Sequence, residues 1–159
     1  MNESLIYNIN HRVKHNDIFY ILGDFTLCTK LPRVLELFDK IKCTTIRLVP
    51  GNHDEEWVKK FKREQEFYTK VKVLRDIEKL RYKDYKFTLS HYPIESWYKP
   101  MDPNSFHLHG HSHGRSRIIS RRMDVGVDCH EYEPISIEEV IERLKTDVNT
   151  NEEAQAKSD

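Results

Sequence analysis

Two short runs carry the residue types from which a catalytic metal centre is built. Gly110-His111-Ser112-His113-Gly114 places two imidazoles two residues apart between glycines. Gly51-Asn52-His53-Asp54 offers an amide oxygen, a proton donor and a carboxylate to orient that donor. Neither run has the apolar mass of a core segment, and glycine lets a backbone turn sharply and a ligand approach closely. Histidines two apart in a strand-to-loop turn can aim their rings at neighbouring cation sites, so His111 and His113 read as metal ligands. Asp24 and His91 end apolar stretches, after Ile21-Leu22-Gly23 and Leu89-Ser90 respectively. Taken alone, Asp24 reads as a turn or cap residue and Asn52 as a turn residue. Joined to the histidines, they make a mixed oxygen and nitrogen set suited to Mn²⁺, Fe²⁺ or Zn²⁺, with Ni²⁺ also admitted. Two such ions side by side can clamp a phosphate group, lower the pKa of a water and neutralise charge during an in-line displacement.

These residues need elements to position them. Leu5, Ile6, Ile9 and Val13 have helical spacing, as do Leu31, Val34, Leu35, Phe38 and Ile41. Apolar or β-branched runs over 17–22 and 44–49 predict buried strands that end just before Gly23 and Gly51. A charged helix carrying Trp57, Val58 and Phe61 follows. Short strands are expected over 71–74, 79–82 and 85–89, with Lys83-Asp84 as a turn, and over 106–109 leading into the histidine run. Residues 118–119 and 123–127 suggest a hairpin turning near Arg121-Arg122. Ser136 and Glu139 have capping-box spacing ahead of Ile137, Val140, Ile141 and Leu144. From residue 147 the chain is polar, which predicts a disordered tail over 147–159 after one domain over 1–146. Strands alternating with helices, then mostly strands, predict a layered α/β sandwich whose candidate ligands all follow strands.

The bulk composition narrows the classes. At 159 residues the chain has room for one ordinary domain. Lys plus Arg and Asp plus Glu both number 26, so a globally basic nucleic-acid binder is not indicated. No apolar run approaches membrane-spanning length. Three unpatterned cysteines predict free thiols and a cytoplasmic location. Four of the nine histidines fall within 107–113, the compositional anomaly to be explained.

Gly23-Asp24, Gly51-Asn52-His53-Asp54, Ser90-His91 and Gly110-His111-Ser112-His113 resemble the ordered motifs of the calcineurin-like metallophosphoesterase superfamily, most closely its small bacterial and phage members. The resemblance extends to Met123-Asp124-Val125-Gly126-Val127-Asp128 and to the helix start at Pro134-Ile135-Ser136. It implies a four-layer α/β/β/α sandwich and a metal-dependent phosphodiesterase or phosphomonoesterase. By that resemblance Asp24 bridges two metals, Asn52, His91 and His111 complete one site, and His113 belongs to the other. His53 protonates the leaving oxygen or stabilises the transition state, held by Asp54.

Family members also carry an Asp-x-His at the end of a first strand, and no Asp-x-His occurs in this sequence. The expected fold is therefore N-terminally incomplete. Three explanations stay open: a true start further upstream, a short form with a rearranged or one-metal site using His107, His109 or His130, and a former enzyme now used for binding. A phosphorylated small molecule or nucleotide is the expected substrate. Nucleic acid is admitted but not favoured by charge, and a partner chain could complete the sheet. The alternative function is a catalytically weak or inactive binding protein, for example a phage-encoded factor that engages a host partner. Arg115 and Arg117, in a basic cluster with Arg121 and Arg122, are candidates to bind phosphate, set against a solvated hairpin.

Overall fold

Parallel strands bring the expected motifs to common edges. The computed structural model describes residues 2–64 and 67–156, with Asn2 and 147–156 described by their backbone. The elements are α1 (Asn2–Arg12), β1 (Ile18–Leu22), α2 (Leu31–Asp39), β2 (Thr45–Val49), α3 (Glu55–Glu64), β3 (Val71–Val73), β4 (Ile77–Tyr82), β5 (Tyr85–Ser90), β6 (Ser105–His109), β7 (Arg122–Asp124) and α4 (Ile137–Ala156). The first sheet has the order β1-β2-β3 and is wholly parallel. Its apolar Ile46 and Leu48 are covered by Val34 and Phe38 of α2 and by Trp57, Val58 and Phe61 of α3. Phe25 stacks on Phe38 at 4.0 Å, and Trp57 meets Phe38 edge-on at 5.9 Å. Such rings bury large apolar areas and fix relative orientation. Helix α2 ends at Asp39, so Ile41 is buried just past the helix, and Leu37 joins the buried stripe instead.

The second sheet has the order β4-β5-β6-β7. Tyr82 pairs with Tyr85 across a two-residue turn, in which Lys83 takes φ 52°, as tight hairpins demand. Strands β5, β6 and β7 are parallel. The hairpin expected over 118–127 does not form. Residues 115–120 cross over as a loop, and β7 lies parallel to β6, with His107 opposite Arg122. The local alternation was real but short, and pairing with the buried β6 outcompetes a hairpin exposed to solvent.

Phe87, Leu89, Phe106 and Leu108 share one face and pack with Val49 of the first sheet and with Val140 and Leu144 of α4; Tyr20 and Leu22 join them. Period-two alternation puts Thr88, Ser105, His107 and His109 on the other face, and all four are buried. The cover there is the 91–104 loop: Trp97 packs against His107 at 5.7 Å and Ser105 Oγ donates to the Tyr98 carbonyl at 2.6 Å. The architecture is the expected α/β arrangement with two facing sheets and helices. Ser136 and Glu139 form the anticipated capping box, each bonding the other's backbone N–H at 3.2 and 2.8 Å. Helix α4 continues through Ala156 over the polar stretch expected to be a disordered tail, since no glycine or proline interrupts it. Residues 157–159 lie outside the described residues. No helix among the described residues is long and apolar enough to cross a membrane. Cys28, Cys43 and Cys129 are free thiols.

Candidate metal centre

Strand register assembles the centre. Leu22 pairs with Val49, so the turns after β1 and β2 emerge side by side. Leu89 pairs with Leu108, so His91 and Gly110 emerge together, and Gly110 N donates to the His91 carbonyl at 3.1 Å. The two sheets then meet at this corner: His91 Nδ1 bonds the Leu22 carbonyl at 2.8 Å. Two glycines make the approach possible. A Cβ on Gly23 would stand 2.2 Å from His91 Nδ1, and one on Gly51 would stand 2.3 Å from Asp24 Oδ1. Neither space can be opened without moving a ligand.

Asp24, Asn52, His91 and His111 come together at this corner. His91 Nε2 lies 3.0 Å from Asn52 Oδ1, 3.3 Å from Asp24 Oδ2 and 3.2 Å from His111 Nδ1. Single ligand atoms of Asp24, His91 and His111 all lie within 4.8 Å of one another. The Leu22 carbonyl can only accept, so His91 Nδ1 donates to it, and Nε2 is the ring nitrogen turned toward the cluster. A carboxylate oxygen, an amide oxygen and an imidazole nitrogen thus face one another. Only a proton or a cation can sit among such atoms. Ligands about 2.1 Å from a divalent ion stand about 3.0–3.4 Å apart, which matches this spacing. Asp24 and His111 adopt φ 53° and 63°, conformations that L-residues seldom take and that cluster at functional sites.

Asp54 has a different partner from the one expected. It is fully buried and does not hold His53. Its Oδ2 accepts from Asp24 N at 2.7 Å and Gly51 N at 3.0 Å; its Oδ1 accepts from Phe25 N at 3.0 Å and Trp57 Nε1 at 3.2 Å. Asp54 therefore ties the Asp24 turn to the Gly51 turn and both to α3. Burial pushes its carboxyl above the ordinary range, and the Gly51 and Asp24 N–H groups pull against that. His53 stands exposed at the start of the same turn, with its backbone N–H donating to Asp24 Oδ1 at 2.9 Å.

His113 is not drawn into the cluster. Its Nδ1 lies 2.5 Å from Asp128 Oδ2, and its side chain is largely exposed. The turn that carries both histidines is held by Asp124, whose Oδ2 accepts from Ser112 Oγ at 2.5 Å and from Gly114 N at 3.0 Å. Burial raises the Asp124 carboxyl, but these donors outweigh it and the net shift is downward. None of the substitute histidines reaches the centre. His107 bonds the Thr88 carbonyl and Ile94 N, His109 bonds the Gly110 carbonyl, and His130 lies between the Asp124 carbonyl and Arg143. The arginine cluster divides. Arg121 and Arg122 bond the carbonyls of Asp102 and Ile94, whereas Arg115 and Arg117 are exposed.

Sequence reasoning passed over Asp124 and Asp128 as supports, although both flank Gly126 close to the histidine run. It also passed over Tyr92, whose ring lies against His111 at 4.6 Å and His91 at 4.9 Å. Adjacency to His91 was the only available signal.

Two sheets that present a carboxylate, an amide oxygen and two imidazoles from adjoining strand ends make an α/β protein arranged to hold a divalent cation. The chain belongs to the calcineurin-like phosphoesterase family, which it matches over residues 3–136. It is 29% identical over 153 residues to an uncharacterised protein of Methanocaldococcus jannaschii, covering 91% of this chain and 76% of that one. Its fold is similar to the crystal structure of a protein of unknown function from Aquifex aeolicus, with TM-score 0.65 and 23% identity over 89% of this chain and 83% of the other. Membership carries divalent-metal binding at the level of the family, and Asp24, His91 and His111 form a cluster whose ligand atoms are close enough together for one ion.

Proposed function

We propose that this chain hydrolyses phosphate esters with water activated by a divalent cation held by Asp24, Asn52, His91 and His111. The observation that carries the reading is the convergence of their acceptor atoms at a corner where two sheets meet. The mixed oxygen and nitrogen donors suit Mn²⁺, Fe²⁺, Zn²⁺ or Ni²⁺. Such an ion supplies Lewis acidity, easing deprotonation of water and offsetting charge on the phosphoryl group. Asp24 would help to hold the ion, its carboxylate plane fixed by the His53 N–H that donates to Oδ1. His53, exposed beside Asp24, donates a proton to the leaving oxygen. Arg115 and Arg117 lie in the loop after the ligand turn and supply positive charge for a phosphodiester or a small phosphomonoester, including a nucleotide. A partner chain that completes the first sheet, and a cytoplasmic location, belong to the same proposal.

One observation favours a rival, a catalytically weak or inactive protein of the same fold that binds a partner. His113 pairs with Asp128, so a second ion would find only Asp24 of its two expected ligands within the cluster. The deciding experiment is Mn²⁺-dependent hydrolysis of an aryl phosphodiester, with Asp24→Ala as control. Turnover that disappears in Asp24→Ala supports the enzyme. A folded chain that binds Mn²⁺ without turnover supports the rival. His53→Ala is expected to lower kcat while leaving Mn²⁺ affinity nearly unchanged.

A further inference from the structure

Tyr92 touches three of the four proposed ligands and is used by none of the chemistry above. Its ring stands edge-on to His111 and His91, at interplanar angles of 67° and 70°. Its hydroxyl lies 3.4 Å from Asn52 Oδ1, at the outer limit of a hydrogen bond, and that oxygen already lies 3.0 Å from His91 Nε2. The backbone beneath it is pinned. Ser90 Oγ donates to the Tyr92 carbonyl at 2.7 Å, and Pro93 restricts the conformation of the residue before it. Yet the residue is 49% exposed, whereas its neighbour His91 is 2% exposed. A rigidly placed phenol whose O–H has, among the described residues, only a weak, shared acceptor is a donor awaiting a better one. An anionic phosphoryl oxygen is such an acceptor, and a hydrogen bond to a charged group is stronger than one to an amide.

We propose that Tyr92 is a substrate-positioning residue, its hydroxyl donating a hydrogen bond to a non-bridging phosphoryl oxygen of an ester bound at the corner formed by Asp24, Asn52, His91 and His111. The proposal rests on the phosphoesterase reading of that corner. A cation held by Asn52 Oδ1 would draw electron density from an acceptor that already lies 3.4 Å away, leaving a charged phosphoryl oxygen the stronger partner for the phenol. The packing against His91 and His111 fixes the direction of the O–H, so Tyr92 and the ligands hold one geometry.

Tyr92→Phe removes the donor and keeps the ring. Calorimetric titration of inorganic phosphate into the Mn²⁺-loaded protein is expected to give a Kd raised about tenfold in Tyr92→Phe, the loss typical of a hydrogen bond to a charged group. KM for an aryl phosphodiester should rise similarly, while Kd for Mn²⁺ alone stays within about twofold of the parent. Unchanged phosphate affinity and KM in Tyr92→Phe, with Mn²⁺ binding weakened in Tyr92→Ala, would make Tyr92 a packing residue and overturn the inference alone. A parent protein that binds Mn²⁺ but neither binds phosphate nor turns over the ester would overturn this inference together with the phosphoesterase reading.

Discussion

Two pairs of histidines lie four residues apart in the chain and meet opposite fates. His107 and His109 sit inside β6, on the same face, fully buried and 5.4 Å apart ring to ring. His107 spends both ring nitrogens on backbone groups of the fold, Thr88 O and Ile94 N. Burial holds its pKa down, to about 4. His111 and His113 lie just past the end of the strand, both with positive φ, in a turn held by Asp124. His111 turns a nitrogen into a cluster of acceptors, while His113 faces solvent and Asp128. Within the strand, alternation and cover dictate what an imidazole does. Beyond it, the turn decides. Residue type and two-residue spacing are the same in both pairs, so neither distinguishes a ligand from a structural histidine.

The sharpest way to break this contrast is to release the turns while leaving β6 intact. Asp54→Ala leaves four donors without their acceptor, namely the N–H groups of Asp24, Phe25 and Gly51 and the Trp57 indole. The expected cost is on the order of 4 kcal/mol, read as a fall in melting temperature of roughly 10 °C. Affinity for Mn²⁺ should fall by about tenfold or more, because Asp24 loses its anchor. A variant with parental melting temperature and parental Mn²⁺ affinity would show that the turns hold themselves.

Much of this corner was legible in the sequence, because each ligand motif follows a short apolar run and each is marked by glycine or by the end of a strand. Asp24, Asn52, His91 and His111 fall together for that reason. The partner of Asp54 was not legible. A carboxylate one residue from a histidine suggests a dyad, but the choice between His53 and three backbone N–H groups depends on how β1 and β2 align, which is a long-range fact. The hairpin expected near Arg121 failed for the same reason: local alternation cannot reveal that β6 offers β7 a buried parallel edge. The burial of His107 and His109 depended on the 91–104 loop, whose prolines announce a loop without saying what it covers.

The buried pair makes its own prediction, on stability. His107 is neutral in the fold with a pKa near 4, against 6.5 as its ordinary value. Between those values the unfolded chain binds more protons than the folded one, so this histidine's contribution is complete above pH 6.5 and is lost as pH falls toward 4. The loss is on the order of 3 kcal/mol across that window. His107→Gln keeps a donor for Thr88 O and an acceptor for Ile94 N without the titration. Chemical denaturation at a series of pH values should show a shallower acid slope in the variant. Equal slopes would mean that His107 does not remain neutral in the fold.

The smallest expected effect belongs to His113, and it tests the contrast most directly. His113 lies outside the cluster and its side chain is mostly solvent-exposed, so His113→Ala should change the affinity for the first Mn²⁺ by less than about threefold. His111→Ala, two residues earlier, removes a ligand atom and should weaken the same binding by about a hundredfold or more. Titration of both variants beside the parent reads the difference without requiring turnover. If His113→Ala lost as much affinity as His111→Ala, the pairing with Asp128 would be one that gives way when the ion arrives. The turn would then carry two ligands, with Asp128 orienting the second of them.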